Sequence, residues 1–503
     1  MKYIIIGGGP TGLSLGYALS HNNHEVCIIE KDKQLGGSWN SQWVDRKFWS
    51  ENSPRVLLSS HNSTSLYLQE LNIDASNLQN VYGNSLQTIF KIVMLNVKYC
   101  TFSDNLKIMN KLHNPFLTID KHATLNDWFE DSTLTPGAKK FLKILGITIN
   151  DVPEKTNLKE FIKALGGINI KIQQFKDPNA WHKITESRIE KQNGSFLKNT
   201  EVLEILEKNN EVYGVLVRDE GNNIREIHSD KIIMCCQSNG ICNILKNSNI
   251  SVKNNWMNYD KMEHWCKETY YSGFGFQLHF DEKVDFPHQW CWSCEDDWNV
   301  IILPVSKWLS TTSKDEKVKT VWSCCVVNMN SKSNRIRKTL NECSIEEALE
   351  ECVHQINNAY EIPNVYKVTL SDELEHVDGK WLSKNTGFTK GKNNYLSMKG
   401  NLDNLFALGC FTENEGNGVA HFGSAIDASI KYLNTYEPNI ISFHNKNKVI
   451  NNLIHILKYI ILLIIIIFIY FVHNNKRLSK KYEIRYFSLI LLVLLFIAFF
   501  NFN

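Results

Sequence analysis

The sequence predicts an α/β fold, interleaved with an α+β region and followed by a hydrophobic C-terminal tail. Three observations favour it. A short apolar strand runs into a glycine-rich turn within residues 3–12, helix-like and strand-like stretches alternate as far as residue 437, and the composition becomes strongly apolar from residue 449. Such alternation is typical of layered α/β architectures.

Composition bounds the class of protein. The chain has 503 residues, of which 43% are hydrophobic and 21% charged, so it can bury a sizeable core. Its formal net charge of +2 provides no field that would gather nucleic acid, so we expect no nucleic-acid partner. The 13 cysteines follow no framework spacing, which favours a reducing compartment. The strand that begins at Lys2 leaves no room for a signal peptide.

The first element is a strand, glycine turn, helix and second strand within residues 3–30. Gly7 permits a tight turn, Gly9 lets the backbone approach a pyrophosphate at the helix N-terminus, and Gly12 lets the helix pack closely on the strand. Glu30 closes the second strand, where a carboxylate accepts hydrogen bonds from a ribose hydroxyl. The spacing predicts a Rossmann-like dinucleotide site.

The middle of the chain predicts a mixture of elements. Residues 75–165 carry apolar side chains three and four apart, which is typical of helices. Residues 201–236 predict three strands with a turn at 221–223. Aromatic and β-branched runs predict an antiparallel sheet. These runs are residues 270–280, 298–304 and 320–327.

The tail is predicted to meet a membrane. Residues 453–472 form an apolar run of about 20 residues, the length of a bilayer-spanning helix, and a shorter run covers 486–500. The basic loop between them favours the cytosol, whereas a two-span hairpin below a cytosolic domain would place it on the far side. We expect a cytosolic globular part, and the second run can also lie in the interface.

Two further features carry a family resemblance. Gly36-Gly37 follows Glu30 closely, and a strand ending at Gly409 precedes a helix start near Gly423. With these motifs the chain resembles the FAD-binding superfamily of flavin-containing amine oxidases, protoporphyrinogen oxidases and phytoene desaturases. The resemblance implies a Rossmann-like FAD-binding domain, an interleaved α+β substrate domain and an FAD cofactor.

The resemblance also implies roles for single residues. The helix at Gly423 would direct its N-terminus at the flavin ring, and the backbone of Val202 would meet the adenine. The cofactor-binding residues predicted in this way are Gly7, Gly9, Pro10, Thr11, Gly12, Glu30, Lys31, Gly36, Gly37, Ser38, Trp39, Val202, Gly409, Gly418, Val419, Gly423, Ser424 and Ala425.

Departures from the family pattern limit which residue roles can be transferred from the family to this sequence. Cys410 stands where the family usually has an acid, Ser38-Trp39 replaces a common Arg, and Gln277 lies where the amine oxidases carry a Lys. No Cys occurs at 392–396, so we expect noncovalent FAD. The resemblance divides residues 1–437 into FAD-binding parts at 1–70, 191–250 and 385–437 and a substrate domain with a helical part at 71–190 and a sheet part at 251–384. The composition adds a linker at 438–448 and a membrane anchor at 449–503.

Other candidate residues have a structural interpretation beside a functional one. Cys291 and Cys294 have dithiol spacing, but in a strand they would point to opposite faces, which favours packing. Glu51 and Arg55 either lie near the substrate, with Trp49 and His61, or form a surface pair. Three aromatic residues either line the flavin or belong to the core, and a histidine either lies near the flavin or caps the preceding loop. These residues are Trp381, Phe388, Tyr395 and His421.

The predicted function is that of a membrane-anchored FAD-dependent oxidoreductase, which moves a hydride from an amine or a lipophilic, isoprenoid-like small molecule to flavin. We find no spacing typical of a metal site or a nucleophilic triad, and no catalytic residue is assigned. One alternative is a non-catalytic protein like the Rab escort and GDP dissociation inhibitor proteins, disfavoured by the retained glycines. The other is an NADPH-dependent flavin monooxygenase, disfavoured because the sequence shows no second complete glycine motif.

Overall fold

The structure is a computed structural model. It describes residues 1–51, 55–58, 62–73, 76–82, 98–113, 118–120, 122–149, 151–166, 172–269, 273–288, 291–371, 374–383, 395–412 and 422–440. Within these ranges, no helix combines the length and the apolar composition that crossing a bilayer requires. The predicted spans at 453–472 and 486–500 lie outside the described residues.

Strands and helices alternate through the described part of the chain. The strands are β1 Lys2–Ile6, β2 Glu25–Ile29, β3 Gln42–Val44, β4 Phe48–Ser50, β5 Leu57–Leu58, β6 Leu78–Tyr82, β7 Ile172–Phe175, β8 Gly194–Leu197, β9 Glu201–Lys208, β10 Glu211–Arg218, β11 Ile224–His228, β12 Lys231–Met234, β13 Phe274–Phe280, β14 Trp292–Ser293, β15 Ile301–Leu303, β16 Thr320–Val326, β17 Lys367–Leu370, β18 Leu374–Val377, β19 Lys380–Ser383 and β20 Leu405–Ala407. The α-helices are α1 Pro10–His21, α2 Asn62–Glu70, α3 Phe102–His113, α4 Leu125–Asp131, α5 Pro136–Ile149, α6 Leu158–Gly166, α7 Ala180–Glu190, α8 Ser238–Asn247, α9 Ile250–Lys253, α10 Tyr259–Thr269, α11 Ile345–Tyr360 and α12 Phe422–Tyr436.

A five-stranded parallel sheet organises the first unit, in the order β20-β12-β1-β2-β8. Side chains of β1 alternate between two cores. Tyr3 and Ile5 pack toward α1 and α12, whereas Ile4 and Ile6 pack toward β10 and α8. Because both faces are covered, the strand is apolar throughout rather than alternating. The strands of this sheet come from widely separated stretches of the chain. Loops that are distant in sequence therefore meet at the carboxyl edge of the sheet.

The second unit contains a five-stranded antiparallel sheet, in the order β14-β15-β16-β13-β17. The predicted strands in 270–280, 298–304 and 320–327 are confirmed as β13, β15 and β16, and the helices expected within 75–165 are confirmed as α3 to α6. The three strands expected within 201–236 are also confirmed, as β9, β10 and β12. Sequence analysis missed β11, whose side chains are mostly exposed.

A carboxylate ties the end of α12 to the start of the parallel sheet. Glu437 accepts a hydrogen bond from the Tyr3 hydroxyl (2.8 Å) and another from the Tyr432 hydroxyl (3.4 Å). It also pairs with the ammonium group of Lys231. We call these four residues the Glu437 cluster. Since Tyr3 is the second residue of β1 and Lys231 the first of β12, the cluster lies at the amino edge of the sheet.

One disulfide bond links two helices beside the parallel sheet. Cys242 of α8 is bonded to Cys266 of α10, and the remaining 11 cysteines form no disulfide bond. Sequence analysis did not predict this pair, because a separation of 24 residues matches no framework spacing. The reducing compartment stays a prediction.

Candidate cofactor and substrate site

The glycine turn is built as its spacing predicts. The Gly7 amide donates to the Ile29 carbonyl (2.8 Å), which joins the turn to the end of β2. A Cβ added at Gly12 would run into the carbonyl oxygen of Gly7 and would also lie 3.2 Å from Ile5 Cγ2. Helix α1 therefore packs so closely on β1 that position 12 has no room for a side chain.

Gly9 differs from Gly12 because nothing within the protein itself requires a glycine at position 9. Its backbone is extended, with φ −79° and ψ −175°, a conformation open to any residue. A Cβ added at Gly9 would meet only Gly37 Cα, at 4.0 Å. Pro10 then starts α1, whose N-cap makes no side-chain hydrogen bond and whose first turn carries no acid. The backbone N–H groups of this turn are therefore placed to receive an anion.

Glu30 faces the same turn from the end of β2. Its buried carboxylate accepts hydrogen bonds from the backbone N–H groups of Gly8 (2.7 Å) and Asp32 (3.1 Å). Burial raises the pKa of Glu30, and these two hydrogen bonds oppose that rise. Lys31 next to it is exposed. Val202 of β9 is buried close by, two residues after an amide that donates to the Glu30 carbonyl.

The second glycine pair lies directly against the first turn. The Gly36 amide donates to the Gly8 carbonyl (2.8 Å), and Gly36 has a φ of +109°. A short 3-10 helix, Gly37–Trp39, then carries half-buried Ser38 and Trp39. The Trp39 ring lies 5.0 Å from the ring of Phe422, the first residue of α12. This loop therefore bridges the glycine turn and the C-terminal helix.

Helix α12 meets the glycine turn although more than 400 residues separate them. Thr11 Oγ1 donates to the Ala425 carbonyl (3.2 Å), and Ser14 Oγ lies 2.8 Å from Ser429 Oγ. Gly423 and Ser424 are buried in the first turn of α12. Gly418 and Val419 lie outside the described residues, as do His61, Phe388 and His421.

The end of β20 reaches the same edge of the sheet. The Leu408 amide donates to the Met234 carbonyl (2.8 Å), so Gly409 follows β20 beside the end of β12. Burial raises the pKa of the Cys410 thiol to about 12. The predicted residues Gly7, Gly36, Gly409 and Ala425 thus gather at one carboxyl edge.

Sequence analysis missed an aromatic cluster around Phe422. Among the described residues, four rings lie within 6.3 Å of its centroid, and they come from the 3-10 helix Gly37–Trp39, α2, β7 and α7. They are Trp39, Tyr67, Phe175 and Trp181. Single aromatic residues spread over so much chain give no periodic signal, which is why the pattern did not reveal them.

Buried polar groups without partners lie on and near the segment that contains the second glycine pair. Among the described residues, nothing hydrogen-bonds Asn40 Oδ1, Ser50 Oγ or either ring nitrogen of His182. A Cβ added at Gly36 would lie 3.0 Å from His182 Cδ2, so the imidazole packs against the glycine pair. Burial lowers the pKa of His182 to about 4, which keeps the ring neutral. Polar groups left in this state are expected where a ligand completes the site.

Glu51 follows β4 and is buried, with 4% of its surface exposed, so the interpretation as a surface pair with Arg55 is wrong. Ser323 Oγ donates to Glu51 Oε1 (2.7 Å), and Gln277 Nε2 donates to the Glu51 backbone carbonyl (2.7 Å). Burial raises the pKa of Glu51 to about 7, and the Arg55 charge and the Ser323 hydrogen bond oppose the rise. Gln277 is itself buried and accepts a hydrogen bond from Thr369 (3.1 Å).

Two other candidate sites are core features. Cys291 and Cys294 pack into different hydrophobic clusters, which confirms that they do not form a redox pair. Trp381 is buried in the core of the antiparallel sheet and donates to the Cys343 carbonyl (3.2 Å). No group of three or more His, Cys, Asp or Glu side chains in the described ranges could hold a metal ion.

Comparison with known proteins agrees with this geometry. Residues 5–71 match a family model described as an NAD(P)-binding Rossmann-like domain. Over 45 residues the chain is 42% identical to an uncharacterized protein in the nifH2 3' region of Methanothermococcus thermolithotrophicus; the match covers 9% of this chain and 43% of that relative.

Solved structures match most of the chain. An oxidoreductase from Methanosarcina mazei is 14% identical with a TM-score of 0.60, covering 86% of this chain and 100% of its own. Putrescine oxidase bound to putrescine is 12% identical with a TM-score of 0.58, covering 87% and 99%. Cyclohexylamine oxidase from Brevibacterium oxydans is 11% identical with a TM-score of 0.54. Residues 5–71 are therefore similar to a Rossmann-like domain, and the chain has the overall fold of these oxidoreductases.

Proposed function

We propose that the protein is an FAD-dependent oxidoreductase of the amine oxidase type. The observation that carries the proposal is Gly9, a glycine that neither backbone conformation nor packing within the protein requires. It lies at the uncapped start of α1, where a bound pyrophosphate needs close approach to the backbone. When bound, FAD supplies two-electron oxidation by accepting a hydride.

The residues of the chain fit this cofactor. N–H groups at the start of α1 would hold the pyrophosphate, and Glu30 would accept from a ribose hydroxyl while it keeps its hydrogen bond to Gly8. The unpartnered Asn40 Oδ1 and Ser50 Oγ lie on and beside the loop that follows Gly37. The described start of α12 at Phe422 meets the same loop. The site residues, the domain boundaries and noncovalent attachment remain parts of this proposal.

Replacing Gly9 by alanine is expected to weaken FAD binding at least about tenfold without lowering stability, because the new methyl group occupies ligand space and meets the protein only at Gly37 Cα, 4.0 Å away. Flavin absorbance of the purified protein and a urea unfolding midpoint measure the two effects. Gly221→Ala, in the exposed turn between β10 and β11, is the matched control and should keep its flavin. A Gly9→Ala protein with full flavin content would contradict the proposed cofactor site.

The same spectrum separates the alternatives. A purified chain that contains no flavin and takes up none from solution favours the non-catalytic binding protein. Bleaching of bound flavin by NADPH alone favours the monooxygenase. Anaerobic bleaching by an amine or an isoprenoid, without NADPH, supports the proposed oxidoreductase.

We also propose that the tail anchors the protein to a membrane, with the globular part on the cytosolic side. The support is the apolar run at 453–472 and the basic segment after it. Full-length protein should float with liposomes of mixed neutral and anionic lipid, whereas the double substitution Ile464→Lys, Ile466→Lys should reduce flotation at least about tenfold, because a charge near the bilayer centre is costly. Equal flotation of both proteins would contradict the anchor.

A further inference from the structure

The disulfide bond between Cys242 and Cys266 joins two helices that pack beside the parallel sheet. Helix α8 begins at Ser238, shortly after β12, and therefore belongs to the first unit. Helix α10 is the last described element before β13, the central strand through which the chain enters the antiparallel sheet. The bond thus connects a helix of the first unit to the helix that leads into the second.

The first turn of α8 packs close to the glycine turn, through the two cysteines that follow β12. A Cβ added at Gly240 would lie 3.3 Å from Cys236 Cβ, and one added at Gly7 would lie 3.0 Å from the backbone nitrogen of Cys236. The Cys235 amide donates to the Ile6 carbonyl (2.8 Å). A movement at the start of α8 would therefore reach Gly7 through one intervening residue.

Helix α10 supports a second strand end at the same carboxyl edge. The Trp265 ring of α10 lies 6.0 Å from the Phe411 ring. A Cβ added at Gly409 would run into that Phe411 ring. Trp265 and Phe411 share one buried core with Cys242 and Cys266. The segment after β20 thus packs on α10, as the turn after β12 packs on α8.

The surroundings of the two sulfur atoms suit the thiols as well as the disulfide. Cys266 Sγ lies 3.0 Å from the Ser238 carbonyl oxygen, and Cys242 Sγ lies 3.4 Å from the Met262 carbonyl oxygen. A reduced thiol at either position therefore has an acceptor for its S–H group. Because reduction leaves no buried donor unpaired, both redox states are compatible with the folded chain.

The bond also lies close to solvent. Cys242 and Cys266 are each 6% exposed, and the residues that follow them, Asn243 and Lys267, are exposed. A small dithiol therefore reaches the sulfur atoms once a single helix turn opens locally. In the reducing compartment predicted from the cysteine usage, disulfide bonds are usually transient and redox-sensing.

We propose that the Cys242–Cys266 pair is a redox switch that controls how tightly the protein holds FAD. This inference goes beyond the proposed function and rests on it. In the oxidised state the bond holds α8 against α10, and both strand ends at the carboxyl edge are fixed. In the reduced state the helices move more freely, so FAD binding must also order them, which costs conformational entropy.

Reduction of the pair moves two electrons. A thiolate of a dithiol reductant attacks one sulfur, the S–S bond between Cys242 and Cys266 breaks, and a mixed disulfide forms. The second thiol of the reductant then displaces the cysteine, so the reductant leaves as a disulfide. Both cysteines end as thiols, with two protons that came from the reductant. The reverse reaction needs a disulfide oxidant such as oxidised glutathione, and the flavin takes no part in it.

The test measures FAD binding to the full chain after equilibration with oxidised glutathione or with dithiothreitol. Mass mapping of alkylated peptides should show Cys242 and Cys266 linked in the first sample and alkylated in the second. The dithiothreitol sample should bind FAD at least about fivefold more weakly. Because coupling is reciprocal, saturating FAD should raise by the same factor the ratio of dithiothreitol to its oxidised form that reduces half of the protein.

Two variants separate this pair from the other thiols. The double variant Cys242→Ser, Cys266→Ser should bind FAD as the reduced chain does and should not respond to dithiothreitol. Cys343→Ser, which replaces a buried thiol in the core of the antiparallel sheet, is the matched control and should keep the full response. A Cys343→Ser protein without any response would assign the effect to another thiol and overturn the inference.

Two results with the unmodified chain also overturn it. One is that Cys242 and Cys266 stay unlinked in oxidised glutathione, and the other is that the linked and reduced chains bind FAD equally well. Both results leave the proposed function standing. A chain that binds FAD in neither redox state overturns the proposed function, and this inference with it.

Discussion

Gly12→Ala is expected to destabilise the protein by about 3 kcal/mol or more, since inserting atoms into a packed site forces backbone shifts. The added Cβ would collide with the Gly7 carbonyl oxygen and crowd Ile5 Cγ2 at 3.2 Å. Neither α1 nor β1 can move aside easily, because Leu13 and Ile5 belong to one buried core. The urea unfolding midpoint should fall, and flavin should be lost with the turn.

The Gly9→Ala variant is the control for Gly12→Ala. Both substitutions add one methyl group to the same turn, but only the one at Gly12 collides with protein atoms, whereas the methyl group at Gly9 meets only Gly37 Cα at 4.0 Å. If both variants lose stability equally, the turn is merely intolerant of side chains. If Gly12→Ala is as stable as the unmodified chain, the close packing of α1 on β1 described above is wrong.

Glu51→Gln is expected to stabilise the cofactor-free protein above pH 7, by up to about 3 kcal/mol at about 1.4 kcal/mol per pKa unit. Burial raises the pKa of Glu51 from its ordinary 4.5 to about 7. Between these values the folded state binds more protons than the unfolded state, so stability falls as pH rises. Below 4.5 both states are protonated and the penalty is absent; above 7 it is complete.

The measurement is the difference in unfolding free energy between the Glu51→Gln variant and the unmodified chain, from urea titrations between pH 4.5 and 8. Groups other than Glu51 titrate in both proteins and cancel in this difference. The difference should grow with pH across the window, whereas Glu350→Gln, at an exposed position of α11, should show no such growth. A difference that stays constant with pH would contradict a buried, unfavourably ionised Glu51.

The sequence predicted those parts of the site that depend on neighbouring residues. The glycine turn and Glu30 are set by local spacing, and each lies where that spacing predicts. The apolar and polar faces of β13 are also visible in the alternation Phe-Gly-Phe-Gln-Leu-His-Phe. That pattern predicts a sheet with two different faces, but it does not show what covers the polar one.

The remainder of the site depends on contacts across long stretches of chain. Phe422 contacts rings from the 3-10 helix Gly37–Trp39, α2, β7 and α7, and no local pattern links them. Glu51 lies near a cation in sequence, and charged residues are usually exposed, which favours the surface interpretation. Its burial comes from Ser323 and Gln277, which lie more than 220 residues away. Tertiary contact therefore overrides the usual preference of the residue type.

The Glu437 cluster holds the end of α12 at the amino edge of the parallel sheet, and this position would set the orientation of the protein on a membrane. Helix α12 starts beside the glycine turn at the carboxyl edge and, at 15 residues, carries the chain about 22 Å toward the opposite edge. The described residues end at Ile440, three residues after Glu437. With the proposed tail in a bilayer, the amino edge of the sheet would face the membrane and the carboxyl edge with the glycine turn would face the aqueous phase. Water-soluble amines would then enter directly, without first partitioning into lipid.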